Sequence, residues 1–157
     1  MKFCSAVIAI MLAASPTGGA HASNSAGIAA WRAFFQRVLP VARLNFVPLR
    51  GAFDAQSGNY AVKGSLHSAI VRNCIIFETG ALDSNAWNLR CDISGYDSQA
   101  AGPSTLPGTL MRNLSAALPG FKRGKNLMGE PEWIDAHHAS VTIVFGGILI
   151  KHGYTGI

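Results

Sequence analysis

Imidazole and carboxylate groups gather in one short stretch, Glu132-Trp133-Ile134-Asp135-Ala136-His137-His138, with His67 and His152 elsewhere in the chain. Such groups together can hold zinc or act as general acid and base. The spacing matches neither the H-E-x-x-H zinc helix nor a zinc finger. Adjacent His137 and His138 would point to opposite faces of a strand, so only one could join a given site. No metal and no cofactor is therefore assigned, and His67, Asp135, His137 and His138 stand as a candidate polar site. A hydrolase reading would use His137 or His138 with a nearby carboxylate. The G-x-S-x-G elbow of a serine hydrolase is missing from the sequence. Paired acids for glycoside cleavage carry no weight, because eight acidic residues make some pair inevitable.

A second cluster is basic. Lys122-Arg123-Gly124-Lys125 follows the helix-stopping pair Pro119-Gly120. Cations just past a helix C-terminus suit the helix dipole. Lys122, Arg123 and Lys125 are also a candidate anion site, although no glycine-rich phosphate loop accompanies them. Nucleic acid is a poor partner for this chain: its basic residues are scattered and no reader motif is present.

The third group able to do chemistry is the cysteines. Strand-prone runs at Ile70–Phe77 and Trp87–Ile93 flank Gly80, Asp83, Ser84 and Asn85, which reads as a β-hairpin. In the second run Trp87, Leu89, Cys91 and Ile93 alternate with Asn88, Arg90, Asp92 and Ser94, the period of a half-buried strand. A hairpin symmetric about Leu82 and Asp83 sets Cys74 opposite Cys91, Ile76 opposite Leu89 and Arg72 opposite Ile93. Opposed residues at a non-hydrogen-bonded position are close enough for a disulfide. Closing a loop of about 18 residues would stabilise the fold by roughly 3 kcal/mol in the chain-entropy model.

That bridge requires an oxidising compartment, and the first segment supplies the route. Residues 1–22 carry Lys2, an apolar run from Phe3 to Ala14, helix breakers at Pro16 and the glycines, and an A-x-A site at Ala20-His21-Ala22. This is the pattern of a secretory signal peptide. The apolar run is too short to span a bilayer, and Cys4 would leave with it. Two cysteines then remain, an even number suited to one structural bridge. The expected location is outside the cytosol, the periplasm ahead of the medium, with no transmembrane segment after cleavage.

The elements that must position these groups follow from residues 23–157, expected to form one domain. Hydrophobic content of 49% against 13% charged residues argues for a packed core and leaves few charges to cover the surface. The net charge of +5 favours anionic partners, or serves solubility alone. Ile28, Trp31, Phe35, Val38 and Leu39 recur at helical spacing, with Pro40 expected to end or kink that helix. At this spacing Trp31, Phe34 and Phe35 read as core. Val47–Phe53 and Tyr60–Val62 suggest a weaker hairpin around Ala55–Asn59. After the small-residue loop at 97–104, Ser104 or Thr105 can cap a second helix, with Pro107 in its first turn and Leu106, Leu110, Leu114 and Leu118 on one side. Asn126–His138 reads as a long connection. Val141–Phe145 and Ile148–His152 are strand-prone, with Gly146-Gly147 as a two-residue turn or a bulge. The sequence shows no internal repeat.

The expected fold is α+β: an antiparallel sheet of about four to six strands, two amphipathic helices packed on it, and one hairpin disulfide between Cys74 and Cys91. The leading functional expectation is a noncatalytic binding, inhibitor or chaperone-like module acting through a protein surface. Its partner would be another envelope protein or an anionic envelope component. Two alternatives are the small envelope hydrolase and an assembly component pairing through its C-terminal strand.

Overall fold

The first helix, α1, spans Gly19–Ala42 and lays Trp31, Phe34, Phe35, Val38 and Ala42 into the core. Their spacing of three and four residues puts them on one face. Trp31 stacks on Phe35 at 5.7 Å between ring centroids, and Phe34 meets both rings edge-on. Pro40 lies inside the helix rather than ending it. So close to the C-terminus it removes a single hydrogen bond, and the burial of Val38 and Ala42 on either side outweighs that loss. The helix stops where Asn45 and Phe46 take left-handed backbone angles, φ 51° and 57°. A short 3-10 turn at Val47–Leu49 then feeds the sheet.

The computed structural model describes residues 19–64, 66, 68–78, 86–94, 108–144 and 146–153, with side chains from residue 27 onward. The expected leader up to residue 18, the turn around Leu82 and Asp83, the loop at 97–104, the Ser104/Thr105 cap with Leu106 and Pro107, and His67 fall outside the described residues. The predicted cleavage point falls within the first turns of α1.

The strands are β1 (Arg50–Asp54), β2 (Asn59–Val62), β3 (Val71–Glu78), β4 (Trp87–Ile93), β5 (Lys122–Lys125), β6 (Pro131–Ile134), β7 (Ala139–Val144) and β8 (Gly147–His152). The second helix, α2 (Gly108–Ala117), separates the two sets of four. Among the described residues these form one antiparallel sheet of eight strands in the order β1-β2-β3-β4-β8-β7-β6-β5. The expectation of four to six strands is too small. The missing pair is β5 and β6, whose Lys-Arg-Gly-Lys and Pro-Glu-Trp-Ile sequences lack the β-branched alternation that marks a strand.

The topology repeats where the sequence does not. Among the described residues a helix followed by four strands occurs twice, and the halves join where β4 pairs antiparallel with β8. Both helices cover one face, against Ile76, Leu89, Cys91, Ile93, Trp133, Val141, Ile143, Ile148 and Ile150. From α2 come Met111, Leu114 and Ala117, with Leu118 just beyond it. The buried Trp133 indole N–H donates to Ser115 Oγ of this helix at 3.1 Å. On the sheet's other face Asn88, Ser140, Thr142 and Glu132 are buried as well.

In the β3–β4 hairpin, Ile76 faces Leu89 as expected, while Arg72 faces Asp92 instead of Ile93. The register slips between Arg72 and Ile75, so Asn73 and Cys74 together oppose Cys91. This is a β-bulge, one extra residue on β3, with one of the two bulged residues in left-handed backbone. Asn73 supplies it at φ 48°, and its amide donates to Asp92 Oδ2 at 3.0 Å. The bulge takes Arg72 off the core side and sets buried Val71 opposite Ile93, while Cys74 is joined to Cys91 by a disulfide with the Cα atoms 4.1 Å apart. At the chain's end a hairpin is formed and not a bulge, with β8 starting at Gly147 opposite Val144. The turn therefore sits one residue earlier than Gly146-Gly147, and Gly146 carries φ 76°.

Two stability predictions follow from these contacts. Replacing Cys74 and Cys91 together by alanine should cost about 2–5 kcal/mol in chemical denaturation; an unchanged midpoint, or free thiols in denatured unreduced protein, would refute the bridge. At Gly147 an added Cβ would lie 2.8 Å from the Cys91 carbonyl oxygen, whereas at Gly124 it would meet nothing within 4 Å. Gly147→Ala should therefore destabilise by about 1–3 kcal/mol and Gly124→Ala by no more than about 0.5 kcal/mol.

Candidate binding surface on the outer hairpin

The basic cluster forms the outermost strand. All four residues of β5 are exposed, and the strand pairs on one side only, with β6. Lys122 stands opposite Ile134, Arg123 opposite Trp133, Gly124 opposite Glu132 and Lys125 opposite Pro131. Alternation therefore sends Arg123 and Lys125 to the helix side of the sheet and Lys122 to the other. Arg123 reaches over the Trp133 ring at 5.9 Å from its centroid. A groove of about 380 Å³ runs along this edge, lined by Lys122, Arg123, Lys125, Glu132, Ile134 and Asp135 among others.

The β5–β6 turn is held by one side chain. Asn126 Oδ1 accepts from the backbone N–H of Met128 at 3.0 Å and of Glu130 at 2.9 Å, and its Nδ2 donates to Glu130 Oε2 at 2.7 Å. Gly129 completes the turn at φ 79°. Leu127 and Met128 are thus fixed at the apex, 87% and 82% exposed. Leu44, Val47 and Phe53, also exposed, are all below 60%, and Phe53 still packs on Tyr60 at 4.9 Å. The carboxylates of the hairpin turn inward. Glu130 is only 6% exposed and Glu132 3%, the latter accepting from Thr142 Oγ1 at 3.2 Å. The outward charge of the hairpin is consequently positive.

The counterpart turn in the first half is built the same way with a polar apex. In the β1–β2 turn, Asp54 accepts from the Gln56 N–H at 3.0 Å and from Ser57 Oγ at 2.7 Å. Those bonds, the Ser57 hydroxyl first, hold the Asp54 carboxyl below the ordinary aspartate range. Behind this turn Arg50 lies 3.6 Å from the Trp87 ring centroid and 5.2 Å from that of Tyr60, and it donates to the Asn45 carbonyl at 2.9 Å. This cluster ties β1 to β4 and to the segment after α1.

The candidate polar site is divided. Asp135, His137 and His138 share the β6–β7 turn, with both histidines exposed and His138 at φ 61°. Asp135 Oδ1 accepts from the backbone N–H of His137 at 2.9 Å and of Ala139 at 2.8 Å, so this carboxylate holds the turn. His152 enters nearby, on the β8 position opposite Ala139. Among the described residues no group of three or more His, Cys, Asp or Glu side chains could hold a metal ion. The C-terminal strand β8 lies between β4 and β7, so both its edges are paired within the sheet.

Sequence reasoning missed Leu127 and Met128, because Asn126–His138 read as a connection. The available signal was Asn126 and Gly129, a turn former on each side of two apolar residues. Among the described residues no helix is long and apolar enough to cross a membrane. No family model, curated protein or solved structure matches the chain.

The Asp54 turn gives a pH prediction. A carboxyl with a lowered folded-state pKa contributes stability above its unfolded pKa, and that contribution is lost as pH falls through the folded value. Asp54→Ala should therefore destabilise the protein at neutral pH, and wild type and variant should converge in acid below the ordinary aspartate range. A difference that stays constant across that range would show that the ionised carboxylate is not what holds the turn.

Proposed function

We propose that this protein is a noncatalytic exported binding module whose contact surface is the β5–β6 hairpin. The observation that carries the reading is the pair Leu127 and Met128, both more than four-fifths exposed on a turn locked by Asn126 and backed by an exposed basic strand. These side chains contribute nothing to the core, yet the turn that presents them is held by backbone and Asn126 side-chain hydrogen bonds. Ordering the turn in advance lowers the entropy lost on binding. Burying both side chains against a partner is worth about 1.5–3 kcal/mol each. Export is supported by the Cys74–Cys91 bridge, which persists in oxidising compartments, and by the leader-like residues 1–22.

The test compares wild type with a Leu127→Ser, Met128→Ser variant, each immobilised and exposed to a whole cell-envelope extract. The variant should retain at least about tenfold less material while melting as the wild type does. Equal retention by the two proteins would remove this hairpin as the contact surface.

A further inference from the structure

We infer that the partner of the β5–β6 hairpin is an anionic phospholipid surface, into which Leu127 and Met128 insert while Lys122, Arg123 and Lys125 face the headgroups. This rests on the binding reading above and adds the chemical class of its partner.

Leu127 and Met128 project at the hairpin apex and do not line the groove of this region, which runs along the strand behind. A projecting apolar tip suits a medium that it can enter, and an interfacial element sinks about 5–10 Å toward the acyl boundary. With a strand rise of about 3.3 Å per residue, Lys125 lies roughly 7 Å behind the tip, at headgroup depth when the tip is inserted. Arg123 and Lys122 follow, and their long side chains can extend toward the interface while their stems stay lower. The charge matches as well. Glu130 is drawn inward by Asn126, and Glu132 is buried against Thr142, so neither opposes an anionic surface. All three cations of β5 remain exposed. The fold itself does not demand this arrangement, because the β1–β2 turn solves the same problem with Ala55, Gln56, Ser57 and Gly58 at its apex.

The inference is tested by sedimentation with vesicles of phosphatidylcholine, with and without phosphatidylglycerol. The wild type should sediment only with the anionic vesicles, and less as salt is raised. Leu127→Ser with Met128→Ser should reduce the bound fraction at least about tenfold, and so should Lys122→Gln with Arg123→Gln and Lys125→Gln. Because the apolar run at Phe3–Ala14 could itself partition into lipid, a second readout is placed on the tip. In a Cys4→Ser background, an environment-sensitive dye on Met128→Cys should shift to the blue with anionic vesicles, and the same dye on Gln56→Cys, on the opposite hairpin, should not. No binding to either vesicle, an unshifted dye at position 128, or equal shifts at both positions would overturn the inference. Tip-dependent retention on an envelope extract stripped of lipid would also overturn it, leaving the binding reading in place with a protein or glycan as partner. Failure in both the vesicle and the extract experiments removes both readings.

Discussion

The pairing of β4 with β8 is the constraint on which the rest depends. Each half, among the described residues a helix with four strands, ends in a strand whose outer edge would otherwise be unpaired. An apolar edge left open is a template for aggregation. Joining the halves closes both edges at once and places Leu89, Cys91, Ile148 and Ile150 together under the helices, where all are fully buried. Gly147 permits this approach, since a Cβ there would strike the Cys91 carbonyl. The disulfide then fixes β3 to the same strand from the other side, so β4 is held covalently on one flank and by hydrogen bonds on the other.

The parts legible in the sequence were those whose signal is local. Alternation from Trp87 to Ile93 and the symmetric placement of Cys74 and Cys91 gave the central hairpin and its bridge. The pairing of Ile76 with Leu89 follows from the same symmetry. The register failed past the bulge, because one extra residue on β3 displaces every later partner. Asn73 was a usable hint, being one of the residue types that tolerate left-handed backbone. At the C-terminus the strand-prone run from Val141 is β7, where Ala139–Ile143 are all buried, but its place inside the sheet is a long-range fact. The pairing of β4 with β8 leaves no local mark. The turn at Asp135 shows the converse failure: a sequence rich in groups that could do chemistry spends its carboxylate on backbone N–H groups.

The outer edges explain why β5 escaped notice and what it implies. An edge strand is protected by charge and brevity, and Lys-Arg-Gly-Lys has both. Composition that guards an edge is also composition that hides a strand from propensity-based reading. The other outer strand, β1, is managed differently, with Arg50 drawn against Trp87 and Tyr60.

Edge protection is thus a sufficient reason for the lysines and the arginine, and taken alone they would argue for nothing more. It gives no reason for Leu127 and Met128. Exposed apolar side chains at a hairpin apex work against solubility, and polar residues occupy the matching turn in the first half at no cost to its hydrogen bonding. Nor is the apex loosely held, since Asn126 binds both the backbone and the Glu130 carboxylate. A turn that is hydrogen-bonded through Asn126 and apolar outward, and has its carboxylate drawn inward, satisfies no requirement of the folded chain. What it does satisfy is the set of conditions for meeting a surface that is negatively charged outside and apolar within.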